Sequence, residues 1–367
     1  MSIFLFLFIL LILILVHEWG HFITAKKTGM RVDQFAIGFP PKLFGVKKGE
    51  TEYTFNALPI GGFVKIWGEN YEEIDGLKKD KKTDHSRAFY ARPKWAQAVV
   101  LVAGVFMNVV FAWFLFSVTN LIGSPTQISE TEATSNSKLY ISNTLPDSPA
   151  SKIPAGSIVV SVYGNGKKID NPLPSQFISF ITEMAPDPVT IKYSYNGKEE
   201  MSTLQPVNNI LKNDPERYAI GASVLLSDLK SYPLGIAIAD GFNQTINGLS
   251  LITKGLFGLF GDMLKKQADL SQVAGPVGIV GMVGDASSQG LSFLLTFTAM
   301  ISLNLAVINL LPFPALDGGR LLFVFIEAIT RRTIPFKVVA GLNLVGFLLL
   351  MLLMLVITYN DILKLFT

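Results

Sequence analysis

From Ile3 to Val16 every residue is apolar, and the run is then broken by His17-Glu18-Trp19-Gly20-His21. The apolar stretch reads as most of a membrane-spanning helix. Three ionisable side chains then follow where hydrocarbon is still the expected surrounding. A charged group there costs at least a few kcal/mol, about 3 on insertion scales, so such residues usually face a partner and mark a function. Residues four apart share a helix face, so His17 and His21 offer two imidazoles to one metal ion. Glu18, one step round the turn, reaches a water held by that ion. The pattern is H-E-x-x-H, the zinc-hydrolase signature.

Half of the 367 residues are hydrophobic and the mean hydropathy is positive. That balance suits a multi-span membrane protein with extramembrane parts better than a soluble chain. The formal net charge of +3 gives no case for nucleic acid. With no cysteine, disulfides and thiolate metal sites are excluded, leaving histidine and carboxylate as the strong zinc ligands. The amino-terminal run lacks a basic leader and ends in His-Glu, not in small residues, so it is expected to be retained.

Four runs are long enough to span a bilayer: about Ile3–Ala25, Ala96–Ile122, Leu291–Pro312 and Val338–Thr358. Lys26–Gln97 holds fourteen Lys and Arg against nine Asp and Glu. The loop Thr119–Gly290 holds twelve against fifteen, with no basic residue in its first nineteen positions. Arg320, Arg331, Arg332 and Lys337 cluster between the last two spans. The positive-inside rule therefore puts Lys26–Gln97 and Gly318–Lys337 in the cytoplasm and the long loop outside. Gly235–Leu264 competes as a fifth span but carries Asp240, Lys254 and Asp262. It reads better as an amphipathic helix in the outer interface.

Between the first two spans, Val32–Phe39 and Tyr53–Leu58 are β-rich and punctuated by Pro40-Pro41 and Pro59-Ile60-Gly61-Gly62. They read as a hairpin at the membrane interface or as a small soluble subdomain. Glu69–Arg87 is charged and reads as a solvated loop, with His85 a surface histidine and not a third ligand. In the second span, Gly104 and Asn108 share a face and suit close helix packing plus a buried hydrogen bond. The outer loop holds a compact unit at Lys138–Val207, with strands at Leu139–Asn143, Ser157–Val162, Val189–Tyr195 and Glu200–Leu204 and a helix at Leu173–Met184. Turns are expected at Gly164-Asn165-Gly166 and Asn196-Gly197.

The third span ends in Asn304-Leu-Ala-Val-Ile-Asn309-Leu-Leu-Pro312-Phe-Pro314-Ala-Leu-Asp317-Gly-Gly-Arg320. Two amides, two prolines and a carboxylate at a membrane helix end indicate non-helical backbone in a polar cavity. His17 lies on the order of 10 Å from the same membrane face by rise per residue, so Asp317 is the natural third ligand. Water is then left the fourth zinc position, as a catalytic site requires.

Taken together, His17-Glu18-Trp19-Gly20-His21, Leu58-Pro-Ile-Gly-Gly-Phe-Val-Lys65, Gly104-x-x-x-Asn108, Gly275-Pro-Val-Gly-Ile279 and Asn309-Leu-Leu-Pro-Phe-Pro-Ala-Leu-Asp317-Gly-Gly319 resemble the site-2 protease family of intramembrane zinc metalloproteases. The likeness is to its bacterial regulator-of-sigma-E protease type. The resemblance implies Zn2+ on His17, His21 and Asp317, with Glu18 as the catalytic base. It implies a membrane-associated β-loop around Tyr53–Trp67, a PDZ domain at Lys138–Val207 and an interfacial helix after it. Two departures stand out. There is room for one PDZ domain where the type often has two, and Val105 follows Gly104 where the family often has proline.

The expected fold is an α-helical polytopic membrane protein with about four transmembrane helices, a membrane-associated β-loop and one inserted α+β PDZ domain. Its segments are residues 1–30 (first span), 31–68 (β-hairpin loop), 69–95 (charged cytoplasmic linker), 96–122 (second span), 138–207 (PDZ), 235–266 (interfacial helix), 291–320 (third span with Asp317) and 337–359 (fourth span). The expected activity is hydrolysis of peptide bonds within transmembrane segments of single-pass proteins, such as a pre-trimmed anti-sigma factor or signal-peptide remnants. Asn108, Asn304 and Asn309 are candidates to hydrogen-bond the unwound substrate backbone. The expected partners are those substrates and the lipid bilayer, in a bacterial inner membrane with the PDZ unit extracytoplasmic. A peptide groove is expected between Leu139–Asn143 and the helix Leu173–Met184. The alternative is a catalytically inactive, membrane-anchored PDZ adaptor. A soluble-type zincin is disfavoured, because Thr24 and Lys27 stand where the extended motif needs Gly and His.

Overall fold

A computed structural model describes residues 2–69, 85–195, 197–210, 214, 216–265 and 274–364. In chain order its elements are α1 (Ser2–Lys27), β1 (Val32–Lys48), β2 (Thr51–Ile66), α2 (Lys94–Ile122), β3 (Ser124–Gln127), β4 (Lys138–Thr144), β5 (Ile158–Gly164), β6 (Lys167–Asp170), α3 (Pro174–Met184), β7 (Val189–Tyr195), β8 (Lys198–Leu204), β9 (Ala222–Lys230), α4 (Leu234–Leu264), α5 (Pro276–Gln289), α6 (Leu291–Leu310), α7 (Asp317–Thr330) and α8 (Phe336–Lys364). They divide into two compact units. One comprises Met1–Ser117, Ile238–Gly284 and Leu295–Thr367, the other Val118–Ala237 and Asp285–Leu294.

The first unit is helical. Among the described residues four helices are long and apolar enough to cross a membrane: Ser2–Lys27, Lys94–Ile122, Leu291–Leu310 and Lys337–Leu363. They fall on the four expected spans. The outermost, α8, leaves Leu344, Phe347, Leu348, Leu352 and Leu355 exposed, a surface suited to lipid and not to water. Helix α4 is not among the four. It packs along α2 and α6, where Leu249 and Ile252 meet Leu115, Phe116, Ala299 and Leu303. Of the expected interfacial segment, Lys266 lies outside the described residues.

Strands β1 and β2 pair antiparallel, from Lys48 opposite Thr51 at the tip to Val32 opposite Ile66 at the base. Phe35 lies opposite both Val64 and Tyr53, and Ile37 opposite both Gly62 and Phe55. The first half of β1 therefore runs between two segments of β2, and Gly62–Ile66 is an outer edge. The base packs on α1 and α2 through Phe22, Ala25, Val32, Phe35, Ile66, and Val100. The far end exposes Phe39, Leu43, Phe44, Val46 and Leu58. An exposed apolar patch of that kind belongs against a membrane and not in water, and of the two readings of this segment it favours the interfacial hairpin.

At the tip, Glu50 accepts two hydrogen bonds from the Arg87 guanidinium, at 2.7 and 2.8 Å, and one from Lys26 Nζ at 2.9 Å. These contacts, with Arg87 foremost, hold its carboxyl down to about 2. A lowered folded-state pKa stabilises above the ordinary carboxylate value of 4.5 and is lost as pH falls from there toward about 2. Glu50→Gln should therefore speed proteolytic nicking of the hairpin at pH 7 by up to about fivefold, the worth of roughly 1 kcal/mol for a partly exposed pair. The difference from wild type should shrink below pH 4.5. Equal nicking rates at both pH values would show that the pair holds nothing.

His85 differs from its expected solvated state: its ring stacks on Trp67 at 5.6 Å and its Nδ1 meets the Tyr90 hydroxyl at 3.1 Å. Residues 70–84 of the charged linker lie outside the described residues.

The second unit is α+β. All its pairings are antiparallel, in the order β3-β9-β4-β5-β7-β8, with β6 on β5. One side of the sheet is closed by α3, whose Phe177, Phe180, Ile181 and Met184 pack with Leu139, Ile141, Val159, Val162, Val189 and Ile191. One expectation needs correction. The sheet extends beyond 138–207, because β3 and β9 belong to it and β9 is inserted between β3 and β4. The expected groove beside Leu139–Asn143 also has β9 along it, because β9 pairs with β4 from Lys138 to Thr144 and α3 approaches β9 as well. Part of the other edge of β9 is already taken, since Gln127 lies opposite Ser227 and Ile128 donates to the Leu226 carbonyl at 3.0 Å. Asn196 of the expected Asn196-Gly197 turn lies outside the described residues.

Candidate metal centre

Helix α1 buries Leu13, His17, Gly20 and His21 on one face, as helical spacing requires. That face packs backbone to backbone against α2 at Gly20. A Cβ on Gly20 would sit 2.3 Å from the Ala103 carbonyl oxygen. Gly104 then gives the imidazoles their room, for a Cβ there would lie 2.4 Å from His21 Nε2 and 2.7 Å from His17 Cε1. The expected packing role of Gly104 thus has a specific content: its missing side chain is the space the rings occupy.

Asp317 comes from the other end of the chain. Helix α6 stops at Leu310 and α7 starts at Asp317, so the expected 291–320 span is broken by a non-helical turn. Pro312 and Pro314 cannot donate to a helix. Gly318 and Gly319 let the turn fold back, since Cβ atoms there would meet the Leu311 and Phe313 carbonyl oxygens, each at 2.2 Å. The Asn343 amide oxygen of α8 accepts from Ala315 N at 3.2 Å and steadies the turn.

His17 Nε2 lies 2.9 Å from Asp317 Oδ2 and 3.0 Å from His21 Nε2, and His21 Nε2 lies 3.4 Å from Asp317 Oδ2. The three ligand atoms lie within 4.8 Å of one another. Both rings turn Nε2 inward. Outward, His21 Nδ1 donates to the Val100 carbonyl at 2.8 Å, and His17 Nδ1 lies 3.3 Å from Asn108 Nδ2. Two imidazoles, one with its outer nitrogen bonded to a carbonyl and the other beside the Asn108 amide, plus one carboxylate, form a three-ligand set that leaves a tetrahedral ion one open position. The donor set fits zinc.

Glu18 points beside this set. Its Oε2 accepts the backbone N–H of Val64 at 2.9 Å, on the outer edge of the β-hairpin. Sequence reasoning missed Val64, because a backbone donor carries no residue signature. Two cavities share Glu18 and Asp317. One, about 230 Å³, is lined by Leu13, Ile14, His17, Asn108, Leu305 and Asn309 among others. The other, about 370 Å³, is lined by His21, Phe63–Ile66, Glu69 and Arg320. Arg320 pairs with Glu69 across it. Of the three amides expected to bind substrate, Asn108 and Asn309 thus come to the centre. Asn304 does not: it is exposed, and its amide donates to the Met300 carbonyl one turn back.

The profile of Peptidase family M50 matches residues 5–353. A Clostridium perfringens protein named, provisionally, a zinc metalloprotease is 38% identical over 95% of this chain and 94% of its own. The regulator of sigma-W protease RasP of Bacillus subtilis is 28% identical over 95% of each chain. Among solved structures, the PDZ domain of an SdrC-like protein from Listeria innocua is 25% identical over 24% of this chain and 92% of its own, with a TM-score of 0.20.

Proposed function

The chain belongs to peptidase family M50 and is a zinc metalloprotease, and from that premise we propose that it hydrolyses peptide bonds within transmembrane segments of single-pass membrane proteins. The observation that carries the reading is the meeting of His17, His21 and Asp317 beside Glu18 on helices long and apolar enough to span a bilayer. His17, His21 and Asp317 would hold the zinc ion, which would supply Lewis acidity to a water and to the scissile carbonyl. Glu18 takes the proton from the attacking water and passes it to the leaving amine. The Val64 N–H holds one oxygen of the Glu18 carboxylate, which leaves the other for the water. A transmembrane helix hides its peptide bonds, and the substrate must unwind before it can react. The outer edge Gly62–Ile66 can take the unwound segment as an added strand, and Asn309 lies in the adjoining cavity to bond a freed carbonyl.

A relative is named regulator of sigma-W protease. An anti-sigma factor already trimmed outside the membrane is therefore the substrate class best supported, with signal-peptide remnants second. The ligand set and base are complete, so nothing favours the inactive adaptor. The α+β unit holds no histidine and acts as a PDZ-type filter on substrate tails.

Reconstituted in vesicles with a single-pass substrate, the protein should cut inside the apolar segment. A chelator should stop cleavage and added zinc restore it. Zinc-loaded protein that cuts no transmembrane segment would overturn the reading.

The charge asymmetry supports a bacterial inner-membrane topology with the α+β unit outside. Lys152 is exposed and the chain has no cysteine of its own. A membrane-impermeant thiol reagent applied to the outer face should label Lys152→Cys fully. Labelling only after the cytoplasmic face is opened would invert the topology.

A further inference from the structure

His17 and His21 each leave Nδ1 for the protein to use, and the two are served differently. For His21 the partner is an acceptor, the Val100 carbonyl. For His17 the nearest group is the Asn108 amide nitrogen at 3.3 Å. Asn108 is fully buried, and its Oδ1 has no hydrogen-bond partner among the described residues. A neutral imidazole whose Nε2 lone pair is committed to a metal carries its proton on Nδ1. His17 Nδ1 is then a donor facing another donor, while an amide oxygen lies unused on the same side chain. Amide oxygen and nitrogen have the same shape, and only the hydrogen-bond network assigns them.

We propose that in the zinc-loaded protein Asn108 presents Oδ1 to the Nδ1–H of His17 and is a positioning residue for that ligand. The inference rests on the zinc-protease reading. Half a turn of the amide converts a donor–donor clash and an orphaned acceptor into one hydrogen bond, leaving only Nδ2 to be satisfied. Geometry favours the assignment. Asn108 lies four residues after Gly104 on the same face of α2, so one residue makes room for the rings and the other holds one of them. The backbone at Asn108 is itself fixed, since Ser302 Oγ of α6 donates to the Asn108 carbonyl at 2.8 Å. His17 is thereby tied through α2 to the helix that leads into the Asp317 turn.

The test uses the full-length protein in detergent, with zinc affinity read by chelator competition for Asn108→Ala, Asn108→Leu and Asn108→Asp. Ala and Leu offer no acceptor and should weaken zinc binding by roughly 10- to 100-fold, the usual effect of removing such a partner. Asp offers a carboxylate oxygen and should stay within about threefold of wild type on the same reasoning. Ala and Leu variants that hold zinc as wild type does, with only KM raised, would make Asn108 a substrate contact and overturn the inference. An Asp variant that loses as much affinity as Ala would overturn it too. A second measurement does not depend on the variants folding. Nitrogen NMR of histidine-labelled, zinc-loaded wild type should show His17 protonated at Nδ1 and bound to metal through Nε2. The opposite assignment sinks the proposal. Wild type that takes up no zinc would overturn the protease reading, and this inference with it.

Discussion

Glu18→Gln is expected to remove proteolysis while leaving zinc in place. Glutamine keeps an oxygen that can accept the Val64 N–H, which now holds Glu18 Oε2 at 2.9 Å, so the side chain should stay where it is. It cannot take a proton from water at neutral pH. General-base catalysis contributes about 10²- to 10⁴-fold, and cleavage in vesicles should fall by that factor with KM little changed. Zinc content should match wild type, because Glu18 is not among the three ligand groups. Glu18→Asp should also fail, since a side chain one methylene shorter cannot reach both the Val64 N–H and the water. A Glu18→Gln protein that cuts at the wild-type rate would remove Glu18 from the chemistry, whatever its zinc content.

Those parts of the centre that depend on short-range spacing were legible in the chain. His17 and His21 share a face because any helix puts residues four apart together. Their burden of charge in an apolar run pointed to a partner. Asp317 was legible for a different reason: prolines, amides and a carboxylate at a span end require a polar cavity, and depth alone matched it to His17. The break between Leu310 and Asp317 followed from the same residues. What spacing could not give is the second layer. Val64 contributes only a backbone N–H. Its place was set by the way Gly62–Ile66 folds against the first half of β1, a pairing register with no sequence signal. Arg320 appeared as one of a cytoplasmic basic cluster, yet it lines the cavity of Glu18 and His21.

The α+β unit shows the same limit at larger scale. Its central strands and helix could be read because apolar residues alternate or repeat locally. β9 reads Ala-Ser-Val-Leu-Leu-Ser-Asp-Leu-Lys, without clean alternation, and its partner β4 lies some eighty residues upstream, Lys138 facing Ser227. Strand pairing at that distance is decided by tertiary packing. The consequence is practical. Cutting out residues 138–207 would strip β4 from β9 and leave unpaired edges, which invite aggregation. A deletion meant to test filtering should instead run from β3 through β9.

Gly104→Ala is expected to empty the metal site without altering any ligand. The added Cβ would stand 2.4 Å from His21 Nε2 and 2.7 Å from both His17 Cε1 and His21 Cε1. Carbon contacts are comfortable only near 3.5 Å and beyond, so the rings or the helix must yield by about 1 Å. The rings cannot turn aside freely, because His21 Nδ1 is bound to the Val100 carbonyl on the same helix as Gly104. Nor can α1 simply withdraw, since Gly20 is seated against the Ala103 backbone one residue away. Zinc–ligand distances in genuine sites fall within about 0.2 Å of their standard values. Zinc content should therefore fall by at least an order of magnitude and proteolysis with it, as for Asp317→Ala, which removes a ligand outright. Gly258→Ala is the matched control: a Cβ there meets nothing within 4 Å, and zinc and activity should be unchanged. If Gly104→Ala keeps its full zinc and cuts normally while Asp317→Ala does not, the two imidazoles do not bind metal where α1 meets α2.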